Sequence, residues 1–227
     1  LIYIQHEKCK GACAARNTGI IRSSGKYIAF LDDDDEWLPQ KIEKQLQAFT
    51  DESVGIVYCL NYIVFKNQKK IESRLGLSGD IFDVMIIKNI IGSTSFPLLL
   101  KQAVLDAGMF DEDMPAAQDY DLWLRILTKY TAQFVNEPLV NYYIHEGEQI
   151  TKNRQKKANA YEKILAKHMD YLTKHKKAYA VRVLRIAEFC AENDLNKAMN
   201  LLLKSIRIYP FAWGVKFEII KIVLFNK

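Results

Sequence analysis

The stretch KYIAFLDDDDEWLP, residues 26–39, is the clearest indication of the fold class in this chain. Its apolar run YIAFL ends in four consecutive aspartates, Asp32 to Asp35. Four like charges in one short turn repel one another, and burying even one unpaired carboxylate is costly. Parallel α/β sheets bind ligands beyond the carboxyl ends of their strands. The stretch therefore predicts a buried strand that ends at a ligand site, with something positively charged beside the aspartates.

The surrounding sequence predicts an α/β domain followed by helices. The runs at 1–4 and 27–31 are predicted strands, and a helix is predicted between them at 13–22. This strand–helix–strand order is typical of a mostly parallel, Rossmann-like sheet. Apolar stripes at helical spacing are the dominant pattern after residue 151, so we expect an α/β domain at 1–151 and a basic, all-helical region at 152–227. The other predicted elements are a helix from Pro39 to residue 49, a strand at 54–65, a helix at 116–130, and short strands at 132–136 and 138–144.

Charge is distributed unevenly along the 227 residues. Residues 1–151 contain 15 Lys and Arg against 21 Asp and Glu, whereas residues 152–227 contain 17 against 6. An acidic first part suits a metal site. The basic part suits an anionic surface such as a phospholipid leaflet, a nucleic acid, or simply solvated helix faces. Nucleic-acid binding is not expected, because the basic part has no recognisable motif and no aromatic residues interleaved on a strand platform.

Cysteine usage and hydropathy indicate a cytosolic chain. The four cysteines, at positions 9, 13, 59 and 190, have no paired spacing and no histidine at ligand distance along the chain, which argues against zinc and for reduced thiols. No apolar run reaches the roughly 18 residues that a membrane-spanning helix needs. The nearest approach is 211–225, which Lys216, Glu218 and Lys221 interrupt.

The aspartate run suggests a divalent cation. Carboxylate oxygens select hard cations such as Mg²⁺, Mn²⁺ or Ca²⁺, and Mg²⁺ is usually shared with substrate phosphates. The alternative is an exposed acidic turn that favours the start of the following helix. One aspartate would suffice for that purpose, so four favour a metal and a phosphorylated ligand.

Two longer segments resemble the family 2 glycosyltransferases, which have the GT-A fold. They are GACAARNTGIIRSSGKYIAFLDDDDEWLPQKIEKQ at 11–45 and LDAGMFDEDMPAAQDYDLWLRI at 105–126. The shared motifs, in order, are an ARN-x-G helix, a strand and turn with D-x-D-D-x-W-x-P, a G-x-F-D-E segment and a D-x-D-L-W-L-R helix. The resemblance covers residue 1 to about residue 151.

The resemblance implies a donor site and a metal site. Asp32 and Asp34 match the DxD motif, whose carboxylates bind the ribose and an Mn²⁺ or Mg²⁺ ion that bridges the diphosphate. Asp33 and Asp35 lie close enough to share that work. Arg16 matches an arginine that contacts the donor nucleotide. His145 stands where many relatives have a histidine that reaches the metal or the diphosphate. The simpler alternatives are a surface ion pair for Arg16 and a structural strand histidine for His145.

The resemblance also implies a catalytic base and an inverting reaction. Asp119 matches the general base, although it could instead only favour the start of its helix. Gln118 replaces the usual acidic residue beside it, which should lower the pKa of Asp119 relative to a chain with an acidic neighbour, and we expect activity to survive. Attack by an acceptor hydroxyl opposite the departing nucleotide inverts the anomeric centre.

The function implied is transfer of a sugar from a nucleotide sugar, expected to be UDP-linked, to a hydroxyl of a glycan or lipid-linked acceptor in bacterial cell-surface polysaccharide synthesis. The basic helices would then contact the inner face of the cell membrane, or alternatively pack on the catalytic domain or pair two subunits as a homodimer. The family's first two strands, with their base-binding motifs, are not recognisable in this sequence. We therefore expect an N-terminally truncated chain, short of roughly sixty residues. The alternative function is a non-catalytic fragment that binds a nucleotide sugar or glycan.

Overall fold

The computed structural model describes residues 2–66, 68–72, 74–144 and 153–210. These residues form two compact units. The first contains most of the residues up to 144, and the second contains residues 153–210 together with two short segments at 86–88 and 114–117. The predicted domain boundary after residue 151 lies outside the described residues.

The first unit combines a sheet with short helices. The helix predicted at 13–22 and the strand predicted at 54–65 are confirmed within one residue at each end. The elements are α1 (Ala12–Arg22), β1 (Tyr27–Ala29), β2 (Asp35–Trp37), α2 (Lys41–Gln47), β3 (Val54–Phe65), β4 (Gln68–Ile71), α3 (Phe82–Met85), β5 (Leu98–Leu100), α4 (Lys101–Asp106), α5 (Gln118–Leu127) and β6 (Thr131–Tyr143).

The sheet is mixed, and the expectation of a mostly parallel sheet is corrected. Its order is β1-β5-β3-β6-β2, with β4 paired to the outer part of β3. Of the strand pairs in the described residues, β3 and β6 alone run parallel. The tight turn after Phe65 returns the chain as β4, which must therefore run antiparallel to β3. The short strands β1, β2 and β5 likewise run opposite to the strands with which they pair. The α/β class itself is confirmed.

The strand predicted for residues 1–4 is wrong for the part that the structure describes. Ile2 and Tyr3 are exposed over 83% and 81% of their surface, and residues 2–11 pair with no described strand. An apolar stretch becomes a strand only where a neighbour accepts its backbone hydrogen bonds. Here β1 pairs with β5 alone.

A single strand, β6, replaces the two short strands predicted on either side of residue 137. Pro138 cannot donate to a ladder, and the register between β3 and β6 shifts at this point, from Cys59 opposite Val135 to Leu60 opposite Pro138. The strand therefore continues beyond an irregularity rather than ending there. Its last residues, Val140 to Tyr142, pair with β2, which forms a strand where the sequence suggested only a turn.

Packing of the first unit centres on β3 and α5. The inner residues of β3, from Val54 to Cys59, are buried. The helix α5 buries its apolar side, including Trp123, which has no exposed surface. It begins at Gln118 and ends at Leu127, shorter at both ends than the predicted helix at 116–130.

The second unit is helical from residue 154 onward in its described part, as expected. Its core contains Ala158 of the first helix, Ile186 and Cys190 of the third, and Ala198 of the last. None of the helices within the described residues is long and apolar enough to cross a membrane. The helices are α6 (Arg154–Lys167), α7 (Met169–Lys174), α8 (Lys176–Cys190) and α9 (Leu195–Ile208).

Candidate active site

The acidic turn connects β1 to β2 and leads to the end of β6. The backbone N–H of Asp35 donates to the carbonyl of Asp32 over 3.1 Å, which closes the turn. Asp35 begins β2 and lies directly across from Tyr142 of β6. Asp33 and Asp34 are exposed at the tip, whereas Asp32 and Asp35 are partly buried. The aspartates thus follow closely on the end of a strand, where the sequence predicts them.

Asp32 is held by side chains from two distant parts of the chain. Nη2 of Arg16, on α1, donates to Oδ1 of Asp32 over 2.8 Å. The hydroxyls of Ser93 and Thr94 donate to Oδ2 over 3.1 and 2.7 Å. The backbone N–H of Asp32 in turn donates to Oγ of Ser95 over 3.0 Å. Two predicted donor-binding residues are therefore in direct contact, and Arg16 supplies the positive charge expected beside the aspartates.

Asp35 has the least compensated carboxylate of the turn. Both of its oxygens are buried, and neither accepts a hydrogen bond of good geometry. Burial raises the pKa of Asp35 to about 6; the nearby hydroxyl of Ser95 opposes this effect, and the negative charges of Asp34 and Asp32 add to it. A cation beside Asp35 would relieve both the burial and the like-charge repulsion.

The chemistry of these carboxylates fits a divalent cation. Asp34 and Asp35 present hard oxygen donors, of which the second is buried without compensation. In the part of the chain that the structure describes, no group of three or more His, Cys, Asp or Glu side chains is arranged to hold a metal by itself. The two carboxylates of Asp34 and Asp35 suit Mg²⁺, which is usually bound by one or two carboxylates together with substrate phosphates.

Asp119 lies in the first turn of α5, close to Arg16 and Asp32. The N–H of Tyr120 donates to its Oδ1 over 2.7 Å. Burial raises the pKa of Asp119 to about 6, the N–H of Tyr120 and the charge of Arg16 lower it, and the charge of Asp32 raises it. Arg16 and Asp32 are thus near enough to act on Asp119. A carboxylate with such a pKa is ionised at neutral pH and can still accept a proton readily.

Tyr142 was not among the residues that the sequence pointed to. Burial raises the pKa of its phenol first, and the charges of Asp35, Asp34, Asp32 and Asp119 raise it further. The ring packs edge-on against Phe96, with 5.8 Å between centroids. Because one phenol responds to all four carboxylates, the acidic turn and Asp119 face a common region.

The segment Ser93–Ser95, which holds Asp32, was not among the donor-site residues that the sequence pointed to. Its hydroxyls lie about sixty residues further along the chain than their partner, and nothing in their local pattern reveals the contact. Asn17 also makes a long-range contact that its local sequence does not reveal. Its amide clamps the backbone N–H and C=O of Phe110, each over 2.9 Å, and thereby joins the ARN motif to the G-x-F-D-E segment.

His145 lies outside the described residues, so its predicted role remains a prediction. Cavities of about 450 and 620 Å³ are present elsewhere, one beside Lys101 and one beside the extended residues 2–11, and neither is lined by Asp32 or Asp119.

Comparison with protein families gives a match between residues 1–105 and the family model described as Glycosyl transferase family 2. WcaA of Escherichia coli K12, a glycosyl transferase named for colanic acid biosynthesis, is 30% identical over 190 residues, which cover 81% of this chain and 67% of the relative. WfaP of Escherichia coli, named as a UDP-Glc:alpha-D-GlcNAc-diphosphoundecaprenol beta-1,3-glucosyltransferase, is 32% identical over 163 residues, covering 65% and 57%. The chain spans about half to two thirds of the length of such curated relatives.

Solved structures confirm the GT-A-like fold. Staphylococcus aureus TarS 1–349 in complex with UDP-GlcNAc aligns with a TM-score of 0.63 at 13% identity, covering 88% of this chain and 62% of that one. The mannosyltransferase PcManGT of Pyrobaculum calidifontis, in complex with GDP-Man and Mn²⁺, aligns with a TM-score of 0.52 at 15% identity, covering 99% and 70%. At these identities the likeness concerns the fold.

Proposed function

The chain belongs to glycosyl transferase family 2, and we propose on that premise that it transfers a sugar from a nucleotide sugar to a hydroxyl group of a glycan or lipid-linked acceptor. Relatives named for colanic and teichuronic acid biosynthesis support a role in cell-surface polysaccharide synthesis. The UDP-Glc in the name of WfaP and the UDP-GlcNAc bound to TarS support UDP as the donor nucleotide.

The observation that carries the proposal is the position of the Arg16–Asp32 pair beside Asp119. The guanidinium of Arg16 bonds Asp32 over 2.8 Å and also acts on the charge of Asp119. A donor held by the pair would therefore lie within reach of a base. Asp34 and Asp35 would hold the Mn²⁺ or Mg²⁺, which when bound neutralises the negative charge on the leaving diphosphate.

Asp119 acts as the general base in this proposal. The acceptor hydroxyl gives its proton to a carboxylate oxygen of Asp119 while its oxygen forms the new bond to the anomeric carbon. The bond between that carbon and the diphosphate oxygen breaks at the same time, and the electron pair leaves with the diphosphate. Attack from the side opposite the leaving group inverts the anomeric configuration. A carboxylate in hydrogen-bond reach of the hydroxyl typically contributes about 10²- to 10⁴-fold in rate.

Incubation of the protein with a panel of nucleotide sugars and polyprenyl-diphosphate or glycan acceptors tests the proposal. We expect release of nucleoside diphosphate in the presence of Mn²⁺ or Mg²⁺, and inverted configuration in the product by NMR. A retained configuration would contradict the role of Asp119. Tight binding of UDP with no turnover on any acceptor would favour the alternative of a non-catalytic binding protein.

We also propose a peripheral location at the cytoplasmic face of the membrane. The second unit is strongly basic and presents an exposed run from Thr173 to Lys177 that contains three lysines. Lysines near an anionic leaflet each contribute about 1 kcal/mol of attraction. Sedimentation with liposomes containing anionic lipid should show binding that disappears at high salt. Liposome binding that does not depend on salt would contradict an electrostatic contact with the membrane. A stable dimer without lipid binding would indicate that these helices pair two subunits instead. The segment 211–225 is outside the described residues.

A further inference from the structure

Lys41 is a buried cation behind the acidic turn. The residue lies at the start of α2 and has no exposed surface. Among the residues that the structure describes, no carboxylate lies within ion-pair distance of its ammonium group. A buried charge without a counter-charge is costly and needs other compensation. Burial lowers the pKa of Lys41 to about 8, which agrees with that cost.

Two side chains compensate the ammonium group. Nζ of Lys41 donates to Oε1 of Gln45 over 2.7 Å. It also lies 4.4 Å from the centroid of the Trp37 ring, a distance at which a cation is attracted to the aromatic face. These two contacts point in defined directions, so the ammonium group fixes both partners relative to α2.

Gln45 connects this cation to the sheet. It is fully buried, and its Nε2 donates to the carbonyl of Val57 over 2.8 Å and to that of Phe96 over 2.9 Å. With both donors used in this way, the amide oxygen is left for Lys41. Gln45 therefore joins β3 to the end of the segment Ser93–Phe96.

Trp37 connects the same cation to the candidate donor site. Its Nε1 donates to the carbonyl of Ser95 over 2.9 Å. Oγ of Ser95 accepts from the backbone of Asp32, and the neighbouring hydroxyls of Ser93 and Thr94 donate to the Asp32 carboxylate. A continuous set of contacts thus runs from the buried ammonium group to the carboxylate that pairs with Arg16.

We propose that Lys41 is a positioning residue for the donor site: its ammonium group locks Trp37 and Gln45 against the segment Ser93–Phe96, and this segment holds Asp32 in place for the nucleotide. The inference rests on the proposed function. Methionine at position 41 would fill a similar volume without the cost of burying a charge. A lysine that served only the core would therefore be replaceable by methionine, whereas a positioning lysine is not.

Calorimetric titration of the full chain with UDP and Mn²⁺ distinguishes these roles. We expect Lys41→Met to raise the Kd for UDP about tenfold or more, while the thermal midpoint stays within about 5 °C of the wild type. An irreversibly misfolded fraction would lower the binding stoichiometry rather than raise the Kd, and an unchanged thermal midpoint excludes a populated unfolded state that would raise the apparent Kd. Lys44→Met is the matched control, since Lys44 lies on the same helix and pairs with Glu137 at the surface. Its Kd should stay within about twofold of the wild type.

The outcomes distinguish failure of the positioning role of Lys41 from failure of the proposed function. A wild type that binds UDP and a K41M variant that binds it equally well would overturn the role of Lys41 alone. A wild type that binds neither UDP nor GDP with Mn²⁺ would overturn the proposed function together with this inference. If Lys41→Met does not fold, Trp37→Phe tests the same set of contacts, because it keeps an aromatic ring and removes the hydrogen bond to Ser95. An unchanged Kd in that variant would also overturn the inference.

Discussion

Replacing Asp119 by asparagine should stabilise the folded protein at neutral pH while it greatly slows transfer. Burial raises the pKa of the Asp119 carboxyl from 3.8 to about 6. Because the folded state favours the protonated form, the stability gained from this group is fully present below pH 3.8 and is lost as the pH rises through about 6. Asparagine keeps the oxygen that accepts from the N–H of Tyr120, but it has no charge to desolvate.

The size of the effect follows from the two pKa values. A tenfold change in proton affinity corresponds to about 1.4 kcal/mol. The difference between the unfolded pKa of 3.8 and the folded pKa of about 6 therefore limits the stability gained by the substitution, above the folded pKa, to about 3 kcal/mol. Asp119 is partly exposed, so screening by water reduces the gain. We expect Asp119→Asn to raise the free energy of unfolding by about 1–2 kcal/mol near pH ~7.5, and by about a third of that near pH ~4.5.

Urea unfolding followed by tryptophan fluorescence at the two pH values measures this difference. Asp51→Asn is a suitable control, because Asp51 is exposed and hydrogen bonds from Ser53 lower its pKa. Ionised Asp51 stabilises the folded state above its unfolded pKa. The free energy of unfolding of D51N should therefore not rise relative to the wild type as the pH increases. In the transfer assay, D119N should lose about 10²- to 10⁴-fold in rate.

The reasoning would be refuted by a free-energy difference that does not grow between these pH values. A loss of stability in D119N at neutral pH would refute it equally, since it would mean that the ionised carboxylate makes favourable contacts in the folded protein. Unchanged turnover would leave the pKa argument intact and remove Asp119 from the mechanism.

Three other substitutions address the contacts around the site. Thr94→Val should weaken Mn²⁺-dependent UDP binding about tenfold in calorimetry, because a hydrogen bond to the charged Asp32 contributes about 1.5–3 kcal/mol; an unchanged Kd would contradict this. Asn17→Ala should lower the free energy of unfolding by about 2–4 kcal/mol, since the N–H and C=O of Phe110 lose their partners; a loss under about 1 kcal/mol in urea would show that water replaces the amide. Tyr142→Phe should leave stability within about 0.5 kcal/mol and weaken UDP binding about three- to tenfold, and equal affinity would exclude the phenol from the site.

The family, the α/β class and several elements could be predicted from the sequence, because each depends on neighbouring residues. The helix α1 follows from local apolar spacing, and β3 follows from a long apolar run that is buried on both faces. Apolar spacing also predicted a strand at 1–4, but Ile2 and Tyr3 are exposed and pair with no strand in the part of the chain that the structure describes. Strand formation requires a partner that a local pattern does not reveal.

The sequence by itself determined the family and the acidic turn after a strand, and it predicts roles for Arg16, Asp32 and Asp119, since those residues belong to contiguous motifs. Only the tertiary structure decided that Tyr142 faces the aspartates and that a buried lysine lies behind them. The physical reason is that a hydrogen bond or a shared electric field depends on distance in space. The hydroxyl of Thr94 and the carboxylate of Asp32 are 2.7 Å apart in the fold but 62 positions apart in the chain.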